Sequence, residues 1–331
     1  MLKYLLVVLS ESSAPFCYYE KKPRKNPKRD LLPLKSLKEA VIFALKNNLK
    51  VNFLYPDHKL EKAYNALIDE VDHVKIVPFG SRETYPDSIL VIESDGFPAA
   101  GELKGLRDEN IIFRLRKDDL GKLSSRLNLL LMKCKRINLV LMDIEAYGAE
   151  DFEQYRRQLE TVSDKMLKLS AKKDPPELSV LTDRLALDRM NNCSAGLKHL
   201  TVAPDGKLYL CPAFYYGRAG DSLGGIRNDI PIKNRHLLEL KYSPICRICD
   251  AYHCRRCVFL NKKLTLEVNT PSSQQCRISH IEREASRLYL QKLKEAGGNP
   301  VALADIPEIA YGDPFEIVET KKLSIADFKK L

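Results

Sequence analysis

The chain has 331 residues, 44% hydrophobic and 30% charged. That apolar content excludes global disorder, and the length suffices for one large domain or two modest ones without covalent staples. The longest uncharged apolar run, residues 4–10, is far below the roughly 20 residues of a membrane-spanning helix. No small-residue cleavage site follows it, so a secretory signal is not expected and the sequence reads as cytoplasmic. Fifty-four Lys and Arg against 44 Asp and Glu leave a formal charge of +10. Such an excess fits an anionic partner, or compensation for buried anionic clusters.

Short β-rich runs alternate with amphipathic stretches over the first 180 or so residues. Strands are predicted at 3–9, 50–55, 74–78, 88–93, 111–115 and 137–143, with a weaker one at 177–181. Most are continuous apolar runs, as in a parallel sheet covered on both faces. Helices are predicted around 37–45, behind Ser36 as N-cap, and at 60–71, 118–134 and 150–171. The alternation predicts an α/β fold, an open or partial (β/α) barrel. Asp174-Pro175-Pro176 ends the last long helix. Residues 198–210 then predict a β-hairpin about a Pro204-Asp205-Gly206 turn. A loop-rich segment follows at 246–276, then a short amphipathic helix at 281–293. The organisation expected is 1–182, 183–290 and a terminal extension, 291–331.

Nine cysteines carry the strongest signal. Cys17 and Cys134 stand alone, the latter reading as helix core. The other seven crowd into one quarter of the chain, and in a cytosolic protein such a cluster points to metal rather than disulfides. Cys246-x2-Cys249-x4-Cys254-x2-Cys257 packs four thiols into twelve residues. Zinc ribbons separate their two knuckles by roughly 15–20 residues, whereas dense runs are the habit of iron–sulfur sites. Iron–sulfur is therefore the reading, with zinc as the alternative. Seven thiolates divide into four and three, leaving one iron open to Asp188, Asp205 or a substrate atom. Arg247, Arg255, Arg256 and Arg277 are placed to offset cluster charge and to donate to sulfur. His253 reads as a loop cap or a donor to sulfur, with metal ligation or proton relay as the alternative, and His199 as a surface strand residue. Asp143 and Glu145 sit on the rim where α/β barrels place chemistry.

The order Cys193-x12-Gly206-x4-Cys211, Cys246-x2-Cys249-x4-Cys254-x2-Cys257, then Cys276 resembles the SPASM domain of radical S-adenosylmethionine (SAM) peptide-modifying enzymes. The two inner spacings are each one residue shorter than usual. The resemblance implies two auxiliary iron–sulfur clusters, of the 4Fe–4S kind. Cys246, Cys249, Cys254 and Cys276 would hold the outer one, and Cys193, Cys211 and Cys257 the inner one. Some relatives carry an eighth cysteine where this chain has Leu187. The reading requires two groups of three or four of those side chains within bonding reach of a common centre.

The radical SAM barrel that precedes such a domain carries CxxxCxxC after its first strand. Aligning Cys17 with the third cysteine puts Ser10 and Ala14 at the first two. The second strand ends Tyr55-Pro56, without the family's glycines. A usable SAM-cleaving site is therefore not expected. Lys21, Lys22, Arg24, Lys25, Lys28 and Arg29 occupy the same loop, either as a solvated strip or as a landing site for an acidic peptide or other anionic partner. Nucleic acid is not indicated, since no aromatic-rich sheet motif or recognition helix accompanies them. Over its full length the chain resembles the CXXX-repeat peptide maturases. The likeness is carried by residues 1–20, with their lone cysteine, and by 246–276, including Cys249-Asp250-Ala251-Tyr252-His253-Cys254-Arg255-Arg256-Cys257. It implies maturation of a ribosomally made peptide with a cysteine every fourth residue. The alternative is a non-catalytic iron–sulfur or zinc module that presents such a peptide to a companion radical SAM enzyme.

Overall fold

A computed structural model describes residues 2–20, 31–106, 109–217, 221–227 and 230–297. Seven strands lie side by side and parallel in chain order: β1 (Tyr4–Val8), β2 (Lys50–Leu54), β3 (His73–Pro78), β4 (Ile89–Glu93), β5 (Glu109–Leu115), β6 (Cys134–Leu141) and β7 (Glu177–Leu178). Helices α1 (Leu34–Lys46), α2 (Lys62–Ile68), α3 (Leu123–Leu131) and α4 (Ala149–Leu169) fall between them. Beyond β7 come α5 (Ser179–Ala186), the hairpin β8 (His199–Val202) and β9 (Lys207–Tyr209), then α6 (Pro212–Gly217) and β10 (Gly224–Gly225). The chain continues into α7 (Val258–Thr265) and α8 (Ser273–Glu295). The hairpin is not a separate layer. β8 pairs parallel with β1, so one ten-stranded sheet runs through the structure.

Alternation along each strand sorts the core into two faces. Leu5, Val7, Val51, Phe53, Ile111 and Phe113 pack with the helices. Leu6, Val8, Leu54, Ile76, Val91 and Ile112 face the other way, toward Ala195, Cys211, Phe214 and Val258. Both faces are covered, and this is why the strand sequences read as unbroken apolar runs.

Several boundaries differ from the sequence expectation, each for a local reason. Helix α1 opens at Leu34 behind Pro33, whose fixed φ suits a helix start, so Ser36 is not its cap. Ser36 instead meets the hairpin turn, where a Cβ on Gly206 would lie 2.6 Å from its hydroxyl. Gly206 also has φ +75°, so the turn needs glycine on two counts. The stretch 118–134 divides into a 3-10 segment Lys117–Lys122 and α3. Cys134 is not helix core; it opens β6, buried opposite Glu109. Only two residues of 177–181 form strand, because α5 begins at Ser179. The final helix starts eight residues earlier than expected, at Ser273, with Ser272 accepting from the Gln275 amide at 3.2 Å. Cys276 therefore sits on its first turn. No described helix is long and apolar enough to cross a membrane.

His199 is also not on the surface. β8 lies between β1 and β9, so His199 is buried and stacks on Tyr4 at 4.7 Å. Burial drives its pKa down from 6.5 to about 4. The neutral ring suits the fold, so its stabilising contribution is full above pH 6.5 and is lost as pH falls through about 4. Across that window it can remove at most about 3 kcal/mol. His199→Phe should flatten the decline in urea-unfolding midpoint between those pH values. An unchanged slope in the variant would contradict this account.

Candidate metal centres

The outer group of cysteines lines one small cleft. Cys246 begins a 3-10 turn, Cys249 ends it, Cys254 closes the next loop and Cys276 enters from α8. Together with Met190, Ile245, Gln275 and His280 they border a cavity of about 20 Å³. Backbone amides aim at two of the sulfurs: Ala251 N–H at Cys249 Sγ and Arg256 N–H at Cys254 Sγ, both 3.5 Å. His280 Nε2 lies 3.7 Å from Cys249 Sγ. The loop between the knuckles is fixed from below by Asp250, which is fully buried. Arg283 meets one Asp250 oxygen at 2.9 Å and Arg184 the other at 3.3 Å, tying the loop to α8 and α5. Burial pushes the Cys246 thiol up to about 12 and that of Cys254 to about 11.

The inner group borders a larger cavity of about 390 Å³. Its floor is the inward face of the sheet, including Leu6, Asn52, Ile76, Ile112 and Asn138, and its roof is the cysteine segment. Cys193 is anchored by its amide to Arg255 O at 2.7 Å, Cys211 follows β9, and Cys257 caps α7. Cys254 borders both cavities. A fifth thiol, not assigned to a cluster from sequence, borders the inner one: Cys17. Burial raises the thiol pKa at Cys193, Cys211 and Cys257, and the charges of neighbouring thiols raise it further at Cys211 and Cys257. Among the described residues, no three His, Cys, Asp or Glu side chains are gathered tightly enough for one metal ion.

The other candidates are spoken for. Asp188 is exposed, 3.5 Å from Arg189, and borders neither cavity. Asp205 closes its own turn, accepting from Lys207 N–H at 3.1 Å and Tyr209 O–H at 2.8 Å. His253 does not reach sulfur; its Nε2 lies 3.1 Å from Glu282, which also accepts from Tyr155 at 2.8 Å. The guanidinium donors of Arg255 and Arg256 go to oxygen: Arg255 to Asn138 at 3.1 Å, Arg256 to Ser243 at 2.6 Å and to Leu238 O. Arg256 still lies in the field of Cys246, Cys193, Cys254 and Cys257. Arg277 stacks over Phe152 at 5.6 Å. Asp143 is 3.7 Å from Arg116, and Glu145 pairs with Lys263. Lys21, Lys22, Arg24, Lys25, Lys28 and Arg29 lie outside the described residues.

The segment after β1 is folded tightly inward. Ser10 and Ala14 are buried. Ser10 shares its hydroxyl with Ser12 at 3.1 Å, and Ser13 donates to Leu54 O at 2.6 Å. Tyr19 stacks on Tyr216 at 4.9 Å, and Tyr215 donates to Glu11. Arg114, fully buried on β5, organises the rest. It donates to Cys17 O at 3.0 Å, to Tyr19 O at 2.6 Å and to Glu93. A charged residue amid the apolar run 111–115 was the signal available in the sequence. Arg114→Met would leave Glu93 and two carbonyls without their buried donor. The expected cost is about 3–5 kcal/mol in urea unfolding, and a loss below about 1 kcal/mol would contradict the clamp.

Neither a family model nor a curated protein matches the chain. Solved structures do. Native anSMEcpe with bound AdoMet aligns at a TM-score of 0.57 and 13% identity, covering 89% of this chain and 100% of that one. Native anSMEcpe with bound AdoMet and the Kp18Cys peptide aligns at 0.56 and 11%, covering 89% and 99%. At such identity the likeness is one of fold: this chain has the mixed α/β, radical SAM-type architecture, a parallel sheet continued by a cysteine-rich segment with a β-hairpin.

Proposed function

We propose that this chain is an iron–sulfur protein of peptide maturation, acting on a ribosomally made peptide with a cysteine every fourth residue. The observation that carries the reading is the sorting of its cysteines. Cys246, Cys249, Cys254 and Cys276 border one cavity, and Cys193, Cys211 and Cys257, together with Cys17 and the shared Cys254, border another. Thiols spread around a cavity suit a multi-iron cluster, whose holders must reach separate corners. A zinc ion would draw four sulfurs to about 2.3 Å of one point. The outer cleft is small, about 20 Å³, so a cluster enters only with the four side chains turned outward around it. Arg256, in the field of Cys246, Cys193, Cys254 and Cys257, would offset the anionic charge between the two sites. When bound, such clusters supply electron transfer. The residues bind and insulate them.

A SAM-cleaving cluster does not fit. Of the three positions that would hold it, Ala14 offers no ligand and Ser10 is buried with its hydroxyl engaged by Ser12. That observation favours a second reading, in which the chain presents its peptide to a companion radical SAM enzyme. Peptide binding is common to both, and the anSMEcpe structures with bound peptide lend it support. The sheet-floored cavity of about 390 Å³ has both apolar and polar lining to receive part of a peptide.

Two measurements test the proposal. Anaerobically isolated protein, reduced and supplied with SAM, should release no 5′-deoxyadenosine; turnover above the reagent background would contradict the unfit site. A cysteine-repeat peptide should bind in a salt-dependent way, several-fold more weakly once Lys21, Lys22, Arg24, Lys25, Lys28 and Arg29 are neutralised. Binding unaltered by both salt and neutralisation would remove those residues from the peptide site.

A further inference from the structure

Resting on the iron–sulfur reading above, we propose that Cys17 is the fourth thiolate of the inner cluster. The resemblance gives that cluster three cysteines and an open position. The carboxylates considered for it are elsewhere: Asp188 is exposed beside Arg189, and Asp205 is held in its turn. Cys17 instead borders the same cavity as Cys193, Cys211 and Cys257.

The placement of Cys17 is built, not incidental. Arg114 holds the Cys17 carbonyl from one side at 3.0 Å and the Tyr19 carbonyl at 2.6 Å, so the residue cannot swing away with a loose loop. Phe16 and Tyr19 meet edge to face at 6.2 Å, and Tyr19 stacks on Tyr216 beyond α6's start at Pro212. The segment that would have carried a SAM-cleaving cluster thus delivers its single cysteine to the auxiliary site. On ligation the S–H bond of Cys17 breaks, its proton leaves to solvent and an Fe–S bond forms, with no change in oxidation state. Four thiolates leave the inner cluster no open iron for a substrate atom. Its role narrows to passing electrons or bracing the fold.

The full chain, reconstituted anaerobically with iron and sulfide, is compared with Cys17→Ala, Cys17→Ser and Cys211→Ala, with Cys134→Ala as a buried-cysteine control. Reduced protein is read by electron paramagnetic resonance and by iron content. Cys17→Ala and Cys211→Ala should alter the same cluster signal and leave the other at full intensity. Iron should fall by about half if the inner cluster is lost, or by about one atom if it survives as a three-iron centre. Should Cys17→Ala fail to fold, Cys17→Ser keeps the volume, exchanges sulfur for oxygen, and should shift that same signal. A wild-type spectrum in both Cys17 variants, with Cys211→Ala changed, would overturn the assignment while leaving the clusters in place. Wild-type protein without any cluster signal would instead overturn the iron–sulfur reading itself.

Discussion

A thiol buried away from water keeps its proton, because burial penalises the thiolate far more than the neutral group. A metal cation that takes the proton's place reverses that preference, as a neighbouring positive charge can in part. This chain buries or half-buries every one of its cysteines, and in seven of them burial lifts the pKa. For Cys134 the arrangement is ordinary, since an isolated thiol is a good core side chain. For the thiols around the two cavities it is not, because several border one space. Buried polar ties and strand pairing hold the segments that carry them.

The support comes from far apart in the chain. Asp250, caught between Arg184 and Arg283, fastens the knuckle loop to two helices. Arg114 fastens the segment after β1 to the sheet. Pairing of β8 with β1 carries the hairpin, and with it Cys211, back to the strand that leads to Cys17. The first two ties are a buried ion pair and a buried charge with carbonyl acceptors, strong when complete and costly when one partner is removed. Such ties specify position more than they add net stability. A cluster site needs position most.

The parallel sheet was legible because its strands are apolar on both faces, and all seven predicted runs contain strand. The hairpin was legible from Pro204-Asp205-Gly206, where only glycine suits both the left-handed backbone and the closeness of Ser36. Segment ends were less so. The shift at Cys134 from helix to strand depends on Glu109 across the sheet, a partner no local pattern reveals. His199 reads as exposed until β8 is known to lie in the sheet interior. The seven clustered cysteines could be given an expected grouping through the resemblance. Cys17 could not, since 176 residues separate it from Cys193 and only the Arg114 clamp and the β1–β8 pairing bring them to one cavity.

The central claim is that these thiols cage iron, and the most direct test is elemental. The full chain, isolated without oxygen, should contain about eight iron and about eight acid-labile sulfide per polypeptide, as two four-iron clusters require. Stoichiometric zinc with no sulfide, or thiols that titrate freely with no metal bound, would contradict it.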